Sequence, residues 1–167
     1  GLPMLSQDVL AAVRTRFSVE PAAADSALLR VTAFGRESSI DDAAIAALSS
    51  ASGHIAELVL ARTHVTDAAM ATIATMPRLV HIDLRGTKVT DDGVVALGAA
   101  TQLRSLNLYG TSVGDRGIAA LSACKNLEQI YVCETPVSAA AVVALKTSIP
   151  SARIVFAADL PEPMADA

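Results

Sequence analysis

Residues 103–126 read LRSLNLYGTSVGDRGIAALSACKN, and the same 24-residue pattern begins again at Ile55, Leu79 and Leu127. A fixed period of this length is typical of a repeat array, in which each unit buries its apolar side only against its neighbours. A threonine holds the ninth position of every copy, and a valine follows two residues later. These columns are Thr63, Thr87, Thr111 and Thr135, and Val65, Val89, Val113 and Val137.

Each copy predicts one strand, one turn and one helix. Its first six residues follow L-x-x-L-x-L, and the alternation at the end of this pattern predicts a strand with one buried face. A threonine, serine or glycine then precedes aspartate or small residues, which favours a helix start. Apolar residues three apart continue the helix, and a small residue just before each pair lets the helix lie close to the layer beneath. These small residues are Ala69, Gly93, Gly117 and Ala141.

The order of elements predicts the architecture. Because every strand returns through a helix, successive strands should be parallel with right-handed crossovers. We therefore expect an α/β right-handed solenoid with a concave parallel sheet and convex helices. Residues 5–156 should form a single domain. Within it, 5–50 would be an N-terminal cap and a degenerate repeat, 55–150 four regular repeats, and 151–156 a closing strand. Residues 157–167 lack periodicity and are predicted to be a disordered tail.

The consensus L-x-x-L-x-L-x-x-T-x-V-T-D-x-G resembles leucine-rich repeats of the ribonuclease-inhibitor-like type. Threonine takes the place of the asparagine or cysteine that this family has at the ninth position. The threonine hydroxyls would then hydrogen-bond to neighbouring turn backbone. The resemblance implies a leucine-rich-repeat solenoid with a protein partner.

A narrower resemblance rests on LNLYGT at 106–111, IYVCETPV at 130–137 and the closing segment at 153–156. These residues look like the C-terminal repeat tail of bacterial proteins that carry a planctomycete-type cytochrome c domain. The chain would then be the tail of a periplasmic or membrane-attached redox protein, with a cytoplasmic location as the alternative. It departs from that family at Cys133, where an aromatic is expected. No C-x-x-C-H motif occurs, so no haem or other cofactor is predicted within these residues.

Composition argues against two classes of partner. The net charge is -4 and no basic run is present, which disfavours nucleic acid because phosphate contacts dominate that affinity. Hydrophobic residues make up 52% of the chain, yet the longest nearly apolar stretch is only 137–145. That stretch is far shorter than the roughly 20 residues that span a bilayer, so no direct membrane insertion is expected.

The candidate partner-binding residues follow from strand alternation. The third, fifth and seventh residues of each repeat should point out of the concave sheet. Tyrosine and arginine are enriched at interface hot spots, and both tyrosines of this aromatic-poor chain fall on this face. The predicted contact residues are Arg85, Tyr109, Tyr131, Asp83, Asn107, His81 and Cys133. The eighth residues of the repeats should lie at the rim.

Catalytic and metal sites are disfavoured by the same geometry. Cys133 and His81 should lie about 16 Å apart, too far for a thiol and its base. His81 and Asp83 could pair, but only Glu57 offers a third metal ligand, so no metal site is predicted. Cys133 should be a surface thiol, with Cys124 on the opposite side of the sheet and no disulfide between them. We attribute the aspartates at 67, 91 and 115 to helix capping.

The favoured function is a non-catalytic protein-binding or structural module, not an enzyme. Its partner would be a protein or another domain of the same parent. The alternative is a substrate-recognition adaptor of the ubiquitin-ligase receptor type, which ranks lower because no F-box-like helical segment precedes the repeats. A thiol enzyme using Cys133 is a remote third possibility.

Overall fold

The computed structural model describes residues 5–24, 26–33 and 40–156, so the predicted tail lies outside the described residues. Strands and helices alternate along most of the chain. The α-helices are α1 (Gln7–Arg14), α2 (Asp42–Ala46), α3 (Asp67–Ala74), α4 (Asp91–Leu97), α5 (Asp115–Ala120) and α6 (Ala139–Ser148). The strands are β1 (Phe17–Pro21), β2 (Leu29–Ala33), β3 (Ile55–Val59), β4 (His81–Asp83), β5 (Ser105–Asn107), β6 (Gln129–Tyr131) and β7 (Arg153–Val155). Short 3-10 helices cover Ala47–His54 and Leu121–Ala123.

The seven strands form one sheet in chain order, and the strands from β2 to β7 are parallel. Residue pairs from β3 onward are 24 positions apart, as in Glu57 with His81 and His81 with Ser105. The predicted α/β solenoid with a parallel sheet is confirmed. β1 differs because it pairs antiparallel with β2. A short connection turns the chain back there, and Pro21, which has no N–H to donate, ends this edge strand.

The core lies between the sheet and the helices. The middle residue of each short strand points into it, and Leu106 and Ile130 are fully buried. Buried helix residues such as Met70 and Ile73 line the other side of the core. Full burial of one such side chain contributes about 1.5–3 kcal/mol. At the N-terminal end, buried Phe17 and Val13 join the same cluster.

The threonine column closes turns within repeats. Each hydroxyl donates to the carbonyl three residues earlier in its own repeat, as in Thr87 to Leu84 at 2.6 Å and Thr111 to Leu108 at 2.7 Å. The expected bond to the neighbouring turn is therefore wrong. Backbone bonds link the neighbouring turns instead, since the Gly86 N–H donates to the Tyr109 carbonyl at 2.8 Å.

The eighth residue of each repeat adopts a left-handed backbone conformation. Arg62, Gly86, Gly110 and Glu134 have φ values of 58, 64, 64 and 54 degrees. Glycine adopts this conformation freely, whereas a residue with a Cβ pays about 1–2 kcal/mol. The turn thus requires a left-handed backbone at the eighth residue of each repeat but no particular side chain there.

The aspartates that begin the helices join each repeat to the next, which corrects our attribution to capping of their own helices. Asp67 accepts hydrogen bonds from the Thr90 backbone N–H at 2.7 Å and from the Thr90 hydroxyl at 2.6 Å. Asp42 and Asp115 do the same for Thr66 and Ser138. Thr90 makes no side-chain bond to its own helix. We call these contacts the aspartate ladder.

One rung of the ladder ends on glycine. Asp91 Oδ1 accepts the backbone N–H groups of Gly114 at 2.6 Å and of Gly117 at 3.0 Å. A Cβ on Gly117 would lie 2.7 Å from this oxygen, and one on Gly93 would lie within 2.9 Å of Met70 Cγ. The small residues at these positions therefore make room for the preceding repeat and its carboxylate.

The left-handed turns predict a purely conformational cost. Gly110→Ala should destabilise the fold by about 1 kcal/mol, because a Cβ there meets no atom within 4 Å but the backbone has positive φ. Gly53→Ala is the control, since its Cβ also meets nothing and its φ is not in that range. Chemical denaturation of both variants measures the difference, and equal stabilities would contradict the turn assignment.

The aspartate ladder predicts a pH dependence. Hydrogen bonds from Ser138 lower the pKa of Asp115 below its ordinary value of 3.8. A lowered folded-state pKa stabilises the protein above the unfolded value, and this contribution disappears as the pH falls through the folded value. The stability gap between the native chain and Asp115→Asn should thus be constant above about pH 5 and close below about pH 4. Denaturation across this range measures it. Asp8→Asn, the same charge change away from a repeat junction, should leave the native profile unaltered in shape.

Candidate binding face

The concave face is the side of the sheet that points away from the helices. It carries two adjoining hollows. The rim hollow, of ≈ 500 Å³, lies where β4, β5 and β6 end; its lining residues are Arg62, Arg85, Gly86, Asn107, Tyr109, Gly110, Tyr131, Cys133 and Glu134. The strand hollow, of ≈ 170 Å³, lies over the middle of the strands and includes His81, Asp83, Asn107 and Tyr131.

The structure therefore distributes the predicted contact residues over two places. Arg85, Tyr109 and Cys133 line the rim hollow, whereas His81 and Asp83 line the strand hollow. Asn107 and Tyr131 border both. Alternation along each strand explains the common face, and the parallel register places equivalent residues side by side. Whether these residues contact a partner stays a prediction.

Two of the predicted contact residues position others. Asp83 Oδ1 accepts the backbone N–H of Arg85 at 3.1 Å, and Asn107 Oδ1 accepts that of Tyr109 at 3.0 Å. Aspartate and asparagine favour such local turns, in which the side chain bonds the backbone two residues on. These bonds hold the chain that carries Arg85 and Tyr109 just past the end of each strand.

Most charged groups on the concave face form ion pairs with neighbouring side chains. Asp83 Oδ2 also lies 3.1 Å from Arg85 Nε, so in the described part of the chain its ion pair is with Arg85, not with His81. Glu57 pairs with Arg30, and this bond raises the pKa of Arg30. Exposed pairs of this kind contribute little stability, but they leave fewer charges available to a ligand.

Two residues of opposite charge, Glu134 and Arg62, affect the Tyr109 hydroxyl. The neighbouring Glu134 carboxylate raises the pKa of Tyr109, while Arg62 acts in the opposite direction. Tyr109 is 39% exposed, so the ring remains accessible from the rim hollow. The Tyr131 hydroxyl donates to Gln129 Oε1 at 3.4 Å.

Sequence reasoning placed the eighth residues at the rim but gave Arg62 and Glu134 no role. The structure brings both into the rim hollow beside Tyr109. A signal was present in the sequence, because this column has glycine at 86 and 110 but a charged residue at its two ends, 62 and 134. The left-handed backbone that explains the glycines was not apparent from the pattern.

The prediction of a surface thiol at Cys133 is wrong. Its side chain is only 4% exposed, and Sγ lies 3.7 Å from the Val155 carbonyl of β7. The closing strand therefore covers one side of this cysteine. Cys124 is buried directly after the 3-10 helix Leu121–Ala123, with Sγ 3.6 Å from the Gly98 carbonyl, and burial raises the pKa of its thiol. Both cysteines are present as thiols.

Two further classes of site find no support in the described residues. His81 and Cys133 line different hollows, as their separation in the register implies. Within residues 5–24, 26–33 and 40–156, no three histidine, cysteine, aspartate or glutamate side chains gather closely enough to hold a metal ion. The helices in these ranges are also too short or too polar to cross a bilayer.

The Tyr109–Glu134 contact predicts a spectroscopic change. Glu134→Gln should lower the pKa of Tyr109 toward its ordinary value of 10.0, because the neighbouring carboxylate is the main cause of the rise. The raised pKa stabilises the fold below the unfolded value, and this contribution is lost as the pH rises through the folded value. Tyrosinate absorbance, measured in a Tyr131→Phe background, follows Tyr109 alone. An unchanged midpoint in Glu134→Gln would contradict the contact.

Comparison with known proteins agrees with this architecture. Residues 76–98 and 100–122 match a family model described as a leucine-rich repeat. No curated protein matches the chain significantly in sequence.

The chain is similar to two solved structures. The leucine-rich-repeat ectodomain of the receptor kinase SOBIR1 from Arabidopsis thaliana is 16% identical, with a TM-score of 0.46 over 89% of each chain. An internalin (inlF) from Listeria monocytogenes is 11% identical, with a TM-score of 0.40 over 72% of this chain and 44% of the internalin. The two matched segments lie at the centre of the seven-stranded sheet, so the fold is an α/β solenoid in which two repeats match the leucine-rich-repeat model.

Proposed function

We propose that the chain is a non-catalytic protein-binding module that contacts its partner through the concave face. The observation that carries this proposal is the rim hollow, where both tyrosines of the chain meet two arginines. Repeat solenoids use extended concave surfaces for binding, and tyrosine and arginine dominate interface hot spots. The partner is another protein or another domain of the same parent.

The rim hollow is preorganised for contact. The bonds from Asp83 and Asn107 hold the backbone at Arg85 and Tyr109 before any partner arrives. The Glu134 carboxylate lies near the Tyr109 hydroxyl and raises its pKa. A rigid aromatic ring costs little entropy on binding, so Tyr109 suits an anchor.

The resemblance to the repeat tail of planctomycete-type cytochrome c domain proteins supports a finer proposal about the parent. The chain would then be part of a bacterial redox protein in the periplasm or attached to the membrane. Sequencing the complete gene tests this idea, because the parent should carry a C-x-x-C-H motif upstream. An F-box-like segment in that position would instead favour the ubiquitin-ligase adaptor.

Site-specific photo-cross-linking tests the concave face. A benzoylphenylalanine at position 109 should cross-link to a protein partner or to another domain of the full-length parent. The matched control carries the same residue at position 143, because Val143 is 66% exposed on α6, away from the concave face. Cross-linking from position 143 and not from 109 would contradict the proposal.

Point variants then measure the contribution of the anchors. Tyr109→Ala and Arg85→Ala should each weaken the identified complex about 5- to 30-fold, while the unfolding midpoint changes little for these exposed side chains. Isothermal titration calorimetry with the partner identified by cross-linking measures the affinity of each variant. Unchanged affinity in both variants would move the interface elsewhere.

A further inference from the structure

We propose that the rim hollow anchors the carboxylate of an extended peptide segment, with Arg62 as the group that receives it. The inference rests on the proposed function of the concave face and names the chemistry of the partner there. It follows from which charges at the hollow are already paired, from where Arg62 points, and from what the fold itself needs at this position.

Arg62 is the available cation of the hollow. Arg85 is engaged by Asp83 at 3.1 Å, and Glu134 lies near the Tyr109 hydroxyl, whose pKa it raises. Among the described residues, Arg62 forms no ion pair, and its hydrogen bond is made by the backbone N–H, to the Arg85 carbonyl at 2.8 Å. A guanidinium offers several donors in a planar fork, which matches a carboxylate.

The Arg62 side chain lies along the rim toward the hollow. Its Cγ is 3.3 Å from the point where a Cβ on Gly86 would stand, so its stem crosses the end of β4. Its positive charge acts to lower the pKa of Tyr109, two strands away. The absence of a side chain at position 86 is what opens this path.

The fold does not need the Arg62 side chain. The equivalent residues of the next two repeats are Gly86 and Gly110, with nearly the same positive φ. Glycine would adopt this conformation with less strain, so a charged residue here is a departure from the favoured local choice. Strained positions of this kind concentrate at functional sites.

The floor and the far end of the hollow define the occupant. Neither Gly86 nor Gly110 adds a side chain to the floor. The Arg62 stem crosses Gly86, but the space over Gly110 is open, so a peptide backbone can approach closely there. Arg62 and Glu134 are three strands apart, roughly 14 Å, which four or five extended residues span. Glu134 repels a second acid. The segment therefore carries one carboxylate at the Arg62 end and a neutral or basic residue at the Glu134 end.

Synthetic peptides test the carboxylate directly. The probe is acetyl-Glu-Thr-Val-Thr-Lys-amide, and the matched control replaces its glutamate with glutamine. Tyrosine fluorescence reports on the hollow because the chain has no tryptophan and both tyrosines line it. NMR shifts of the Gly86 and Gly110 amides locate the peptide, and Gly53 serves as a distant reference. The glutamate peptide should bind about fivefold or more tightly than the control, with an advantage that salt reduces.

Variants of the full chain test the assignment of Arg62. Arg62→Gln should remove the preference for the glutamate peptide, whereas Arg78→Gln, the same change in the turn before β4, should preserve it. Arg62→Gly should also remove the preference while leaving the chain at least as stable, because glycine relieves the positive φ. Loss of binding in that variant cannot then be attributed to unfolding.

Several results would overturn the inference. Equal binding of the two peptides, or a preference that survives Arg62→Gln but not Arg85→Gln, would reject Arg62 as the receiving group. Binding of the glutamate peptide only after Asp159→Asn and Glu162→Gln would make the chain's own residues 157–167 the occupant of the hollow and reject an external segment. A partner cross-linked from position 109 could bind the Arg62→Gln variant as tightly as the native chain. That result would refute this inference alone and leave the proposed function standing.

Discussion

The carboxylate that begins each helix from α2 to α5 holds the solenoid together at the point where one repeat meets the next. Asp67 binds both the backbone and the hydroxyl of Thr90, and Asp115 does the same for Ser138. The donors belong to the helix start of the following repeat, whose first N–H groups have no partner within their own helix. Each repeat thus satisfies polar groups that its neighbour cannot satisfy alone.

This constraint sets the register of the sheet and hence of the binding face. Paired strand residues are 24 positions apart, so Asp83 stands beside Asn107 and Asn107 beside Tyr131. The polar side chains at positions 83 and 107 then fix the backbone two residues later, where Arg85 and Tyr109 project. A shift of one residue would turn these side chains into the core. The rim hollow is therefore a consequence of how the repeats are joined.

Much of the fold was accessible from the sequence because each repeat is a local pattern. The alternation of Leu106 and Leu108 with Asn107 and Tyr109 predicted which side of the strand is buried. The prediction from sequence failed where contacts with a neighbouring repeat determine the environment of a side chain. Cys133 occupies an outward position in its pattern, yet β7 comes close enough to bury it. The aspartates read as helix caps, but their carboxylates reach a residue 23 or 24 positions further on.

The sequence by itself determined the strand–helix unit, the parallel solenoid and the face that carries Tyr109, Tyr131 and Arg85, since periodicity encodes side-chain direction. Only the tertiary structure decided which of these residues share a hollow and which charges are already paired. It also gave Arg62 and Glu134 their place, because a left-handed turn and the space over Gly86 and Gly110 arise from backbone geometry. Pairing of charges depends on distances between repeats, which no single repeat contains.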